Sequence, residues 1–192
     1  MSKNLFNRIW NLLRYPARSW DDILQESAED KSYLRKFFYP LAGLAALAAF
    51  FSPFIYGEQV VGALLKAGIQ NGIVTVVSAF AGLFVAARML NLIFVRWFGL
   101  PFDKRKAEIL TVYSSTPVLA VSIITRLVRD LFFLKLCFLY VFVIVWEATT
   151  HYYAIDERQQ GRFTGVSGFV ILMTPVLFEL ILKFILPGLK SL

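Results

Sequence analysis

One cysteine, one histidine and a charged fraction of only 17% set the first limits on this 192-residue chain. A lone cysteine closes no intrachain disulfide and builds no multi-cysteine metal site. Cys137 lies inside an apolar run, where a buried structural thiol is the expectation. A lone histidine excludes a His-Glu-x-x-His metal helix. There is also no glycine-rich phosphate loop between a strand and a helix, and no Gly-x-Ser-x-Gly nucleophile elbow. Without an acid, base and nucleophile set, the chain reads as a non-enzyme with no cofactor and no metal. Met1 to Arg8 lacks the unbroken apolar stretch and small-residue cleavage site of a secretory signal, so the first span is expected to serve as an uncleaved one. No internal repeat supports a solenoid or a duplicated transporter.

What the chain has in abundance is apolar surface: 58% of residues are hydrophobic and 16% aromatic. That is far beyond an ordinary soluble domain. The net charge of +7 comes from short basic clusters beside apolar runs. These suit lipid headgroups and the setting of orientation, so membrane lipids and not nucleic acid are the expected partners. A helical span needs roughly 20 mostly apolar residues. Such runs occur at Phe37 to Tyr56, Ile69 to Phe98, Ala107 to Val128, Leu131 to Ala148 and Thr164 to Pro187. The second run leaves room for an interfacial turn around Val60 to Leu65. Only Arg126, Arg129 and Asp130 divide the third from the fourth. The expected fold is all-α, a five-span polytopic bundle (residues 37–192) preceded by a cytoplasmic amphipathic segment (residues 1–36). Lys and Arg in alternate loops number 13 on the N-terminal side and 5 on the other, Arg88 and Lys135 being counted within spans. The positive-inside rule then places the N-terminus in the cytoplasm and the C-terminus outside, in an inner (cytoplasmic) membrane.

The segment before the first span has its own pattern. Leu5, Phe6, Ile9, Trp10, Leu12 and Leu13 fall on one helical face, with Lys3, Asn7, Arg8, Asn11 and Arg14 opposite. Tyr15-Pro16 breaks this helix, and a second begins near Ala17 to Ser19 with Trp20, Ile23 and Leu24 at helical spacing. Trp10, Pro16 and Trp20 read as an interfacial anchor; a cytoplasmic docking surface is the alternative.

Ionisable residues inside apolar runs need partners or hydration. Arg88, Glu108, Glu147 and His151 all fall toward the N-terminal side of the bilayer and form a candidate intramembrane polar cluster. An Arg88–Glu147 pair across the bundle is the natural resolution, and a proton or ligand pathway is its functional counterpart. Glu147 and His151, four apart, supply two metal ligands at most, too few for a site. Glu179 and Lys183 are spaced for an intrahelical pair, and Lys135 either snorkels outward or reaches Glu179.

Small residues recur at four-residue steps: Ala42, Ala45, Ala46 and Ala49 in the first span, and Ser78, Gly82 and Ala86 in the second. Backbones approach closely along such ridges, which places these spans inside the bundle or against each other. In the third span Pro117 cannot donate to the carbonyl of Tyr113, so Tyr113-Ser114-Ser115-Thr116-Pro117 is expected to kink, as a hinge or as static packing. Pro175 should act likewise on the carbonyl of Ile171.

The stretch Leu13-Arg14-Tyr15-Pro16-Ala17-Arg18-Ser19-Trp20-Asp21-Asp22-Ile23 is similar to the Pro-x-x-x-Trp-x-x-Ile segment of bacterial members of the Yip family of membrane proteins. The polar Tyr113 to Pro117 stretch and the five-span pattern resemble it too. The resemblance implies a five-helix bundle with its N-terminus inside and C-terminus outside. Eukaryotic relatives are associated with Rab-type GTPases, but this chain has little of their long N-terminal region. The two functions left standing are a membrane scaffold or accessory subunit working with other membrane-protein subunits, and a small transporter or channel using the polar cluster.

Overall fold

The computed structural model describes residues 5–26, 33–57 and 60–185. Lys3, Lys31, Lys190 and the expected end of the fifth run at Pro187 lie outside the described residues. Regular structure among the described residues is helical throughout. The order is α1 (Leu5–Arg14), α2 (Pro16–Glu26), a π-helical turn (Leu34–Phe38) running into α3 (Tyr39–Tyr56), α4 (Val61–Phe98), α5 (Lys104–Ser114), α6 (Thr116–Leu127), a 3-10 segment (Arg129–Leu139), α7 (Tyr140–His151) and α8 (Glu157–Ile185). Five of the resulting rods are long and apolar enough to cross a membrane: Leu34–Tyr56, Val61–Phe98, Lys104–Leu127, Arg129–His151 and Glu157–Ile185. The fold is an all-α polytopic membrane bundle.

Local chemistry explains the boundaries. Pro16 opens α2, where its missing N–H removes nothing from the helix. Gly99, at φ +65, closes α4 in the left-handed conformation that glycine adopts without strain. Asp103 then caps α5 by accepting from the Lys106 N–H at 2.9 Å, while its own N–H donates to Asn91 Oδ1 at 3.1 Å. The connection is thereby tied back onto α4. Asp156 accepts from the Arg158 N–H at 3.1 Å at the start of α8.

Two spans differ from expectation. The second is one regular helix from Val61, with no separate turn around Val60 to Leu65. Its 38 residues exceed what a ~30 Å hydrocarbon layer requires at ~1.5 Å per residue. The fourth span is split: Arg129–Leu139 winds as a 3-10 helix with no buried residue, and only Tyr140–His151 is α-helical. Cys137 is consequently exposed, against the expectation of a buried thiol. The third and fourth spans meet in an extended Val128, and Tyr56 bridges the turn. Its hydroxyl donates to Leu127 O at 2.6 Å and accepts from the Arg129 N–H at 2.9 Å.

Packing is closest where side chains are smallest. Ala42, Ala45 and Ala49 are buried on α3, with Ala46 half-buried, against α4. A Cβ on Gly68 would meet the Phe50 carbonyl oxygen at 2.6 Å, and one on Gly82 would meet the Pro175 ring at 2.8 Å and its Cα at 2.9 Å. Gly82 is therefore where α4 touches the backbone of α8. Pro175 lies within a continuous α8, its expected local disturbance absorbed without a break.

Candidate functional site

The end of the bundle that carries α1 and α2 is sealed. Leu12, Trp20 and Ile23 belong to the same buried core as Phe37, Phe38, Phe94, Tyr113, Tyr152, Tyr153 and Phe163. Phe94 and Phe163 stack at 4.4 Å between ring centroids, Phe37 lies 4.8 Å from Tyr113, and Trp20 lies 5.2 Å from Tyr152. Offset and edge contacts of this kind add to what area burial contributes. Trp20 is 0% exposed, and its indole N–H donates to Ile144 O at 2.9 Å. This corrects the placement of Trp20 in a lipid-facing anchor: α2 packs on α7, and a buried indole with a satisfied N–H is a core residue. Trp10, by contrast, is 53% exposed beside exposed Phe6 and Tyr15 on the outer surface of the cap. Pro16 is half-buried at the joint between α1 and α2.

The four ionisable residues singled out in the sequence separate. His151 Nδ1 lies 2.8 Å from Asp21 Oδ1, and His151 Nε2 lies 3.7 Å from Glu147 Oε2, so α2 is tied to the end of α7 through one imidazole. Glu108 instead accepts from the Tyr33 hydroxyl at 2.8 Å. Burial first, and the neighbouring Glu108 carboxylate second, push the Tyr33 phenol above its ordinary pKa. Arg88 is exposed, on the side of α4 away from buried Ala86, Ala87 and Leu90. The expected Arg88–Glu147 pair does not form: Glu147 neighbours His151 on α7, and exposed Arg88 is long enough to snorkel.

At the expected kink the third span is interrupted at a single residue, with i→i−4 hydrogen bonds made on both sides of it. Ser115 separates α5 from α6, its N–H bonded to Thr111 O at 3.0 Å and its hydroxyl donating to Val112 O at 2.9 Å; Leu119 N–H then donates to Ser115 O at 3.1 Å. Tyr113 points into the aromatic layer, with the Arg8 guanidinium 5.7 Å above its ring. Ser114, Thr116 and Pro117 are buried at the joint. The Ser114 and Thr116 hydroxyls have no hydrogen-bond partner among the described residues.

The opposite half of the bundle is open. A cavity of about 400 Å³ lies among the spans, its walls including Arg126, Lys135, Glu179, Ser122, Leu139 and Met173. A second, of about 210 Å³, shares Thr75, Arg126 and Glu179 with it and adds Asn71 and Lys183. Arg126 donates to the Thr75 hydroxyl, which donates to Asn71 O at 2.7 Å. Glu179 and Lys183 form the expected intrahelical pair at 2.7 Å. Sequence reasoning treated Arg126 as a loop charge and so missed this site. The signal was there in Asn71 and Thr75, Ser122 and Arg126, Glu179 and Lys183, three polar pairs at four-residue spacing on three apolar spans. Among the described residues, no group of three or more His, Cys, Asp or Glu side chains is placed to hold a metal ion.

A family model described as the Yip1 domain matches residues 10–182, almost the whole chain, and the chain belongs to that family. No curated protein and no solved structure matches it.

Proposed function

We propose that this Yip1-domain membrane protein is a non-catalytic scaffold or accessory subunit of a larger membrane complex, with its N-terminus in the cytoplasm. The observation that carries the reading is the sealed end. A buried layer of Leu12, Trp20, Phe37, Tyr113 and Phe163 fills the bundle there among the described residues, and α1 and α2 form its outer surface. Exposed Phe6, Trp10 and Tyr15 beside exposed Arg14 and Arg18 give that surface the mixed apolar and basic character of a headgroup-level contact. The one-residue interruption of the third span at Ser115 supports the reading of this stretch as a joint in such a subunit.

The charge bias supports the sidedness, since the 13 basic residues of the N-terminal side face 5 on the other. A reporter fused before Met1 should read as cytoplasmic and one after Leu192 as external; a cytoplasmic signal from the second would overturn the topology. Purification from the native membrane in mild detergent should bring down further membrane-protein subunits. A chain that purifies alone and supports solute flux in vesicles would favour the transporter instead.

A further inference from the structure

We propose that the open half of the bundle is a binding site for one anionic phospholipid, its phosphate on Arg126 and Lys135 and an acyl chain along the wall beneath them. The site is built from charge and direction together. Among the described residues, the lining of the two joined cavities carries three cations, Arg126, Lys135 and Lys183, against one carboxylate, Glu179. Glu179 is engaged by Lys183 at 2.7 Å, whereas neither Arg126 nor Lys135 belongs to an ion pair among the described residues. Arg126 is held by the Thr75 hydroxyl and feels the Glu179 carboxylate, but three cations against one carboxylate leave this lining net positive, and the ligand it complements is an anion.

Direction then specifies what the anion is attached to. The helices α6 and α8 both run away from the sealed end, so Arg126 and Glu179 stand near their far termini, at the depth of headgroups. Val118 lies eight positions before Arg126, which is ~12 Å deeper at ~1.5 Å per residue. Leu172 and Met173 hold the corresponding depth on α8, and both line the same cavity. A polar mouth above an apolar wall is the profile of a lipid standing in its own leaflet. A free phosphate would use the mouth and leave the wall bare. The exposed 3-10 segment forms the outer side, with Leu136 at 73% and Leu139 at 59% exposure, so a lipid can enter laterally without the bundle opening.

The proposal is independent of the scaffold reading, and its test is lipid retention. The full chain, washed free of lipid in mild detergent, is titrated with mixed micelles of phosphatidylglycerol or phosphatidylcholine, and bound lipid is counted by native mass spectrometry. Phosphatidylglycerol should be retained at least about tenfold better, as expected for two cations facing one anionic headgroup. Arg126→Gln and Lys135→Gln should each reduce that preference several-fold. Leu139→Trp, which fills the wall without changing charge, should reduce retention of the lipid while leaving weak binding of inorganic phosphate unaffected. Lys66→Gln, an exposed cation that lines neither cavity, should change nothing. Equal retention of the two lipids would overturn the proposal, as would a Lys66→Gln effect equal to that of Lys135→Gln. So would inorganic phosphate displacing the lipid completely, which would make the site one for free anions. Should Arg126→Gln fail to fold, exposed Lys135 and Leu139 carry the test alone.

Discussion

At the end that carries α1 and α2, the bundle closes around rings: Trp20, Phe37, Tyr113, Phe94 and Phe163 are all buried, and the indole N–H has its acceptor. At the opposite end the same five spans separate around Arg126, Lys135 and Glu179, and the fourth span thins to a 3-10 segment with nothing buried. The difference is one of packing partner. Large aromatic surfaces meet one another at the sealed end. At the open end the long aliphatic side chains Leu136, Leu139, Val176 and Leu177 face outward, where lipid replaces protein as the neighbour. One end is thereby suited to rigidity and the other to exchange with the bilayer.

The largest test of that contrast is truncation of Trp20. Trp20→Ala should lower unfolding stability by about 3–5 kcal/mol, the usual range for removing a buried aromatic. Leu139→Ala at the open end should lie within about 0.5 kcal/mol of wild type, as exposed substitutions generally do. Denaturant unfolding in one detergent compares them directly, and equal losses would abolish the distinction between the ends. Next in size is Gly82→Val, at the contact between α4 and Pro175, where the added carbons meet a ring and backbone that cannot swing aside. A loss of about 1–3 kcal/mol is expected from such overpacking. Gly62→Ala, with nothing within 4 Å of the added Cβ, should instead be neutral or gain up to about 1 kcal/mol from helix propensity.

These two substitutions also show what the sequence could reveal. Hydropathy marked the five spans because an apolar run of ~20 residues matches the thickness of the hydrocarbon layer and is longer than a buried core helix needs to be. The small-residue ridges marked α3 and α4 as closely packed because only small side chains permit that approach. The polar cluster was a different matter. Arg88, Glu108, Glu147 and His151 were expected toward one side of the bilayer, but that does not fix azimuth, and Arg88 is exposed while Glu108 turns to Tyr33. Trp20 was misread for the same reason. An aromatic residue on an amphipathic helix faces either lipid or protein, and only the packing of α2 on α7 decides. Arg126 was missed because its position beside a turn suggested solvent. Its guanidinium reaches back to Thr75.

A smaller effect distinguishes the polar contacts of the sealed end. Tyr33→Phe removes the donor to Glu108 and leaves a half-buried carboxylate with one fewer bond, for an expected loss of about 1–3 kcal/mol. It also carries a pH signature. Burial and Glu108 raise the Tyr33 phenol in the folded chain above its unfolded value. The folded state therefore holds the proton where the unfolded state has released it. The contribution is fully present below about pH 10, the ordinary phenol value, and falls away as pH rises beyond it. Wild type should lose stability in that alkaline window more steeply than Tyr33→Phe; parallel curves would show that the contact has no influence on the titration.

The smallest change in stability should come from Glu179→Gln, and it sharpens the comparison most. The Glu179–Lys183 pair is intrahelical, with both side chains more than a third exposed, so its removal should lower stability by only about 0.3–0.5 kcal/mol. The same substitution takes away the one carboxylate that lines the open cavity among the described residues and frees Lys183 to join Arg126 and Lys135. Anionic-lipid retention should therefore rise, by up to about fivefold for one added cation at the headgroup, while stability barely moves. Lys183→Gln should cause a similar small loss of stability but no gain in retention, since it leaves Glu179 unpaired beside Arg126. A scaffold with a uniformly packed interior would couple the two measurements, losing stability and lipid together. A rise in retention in Glu179→Gln alone, at nearly constant stability in both variants, is what an open, lipid-filled end requires.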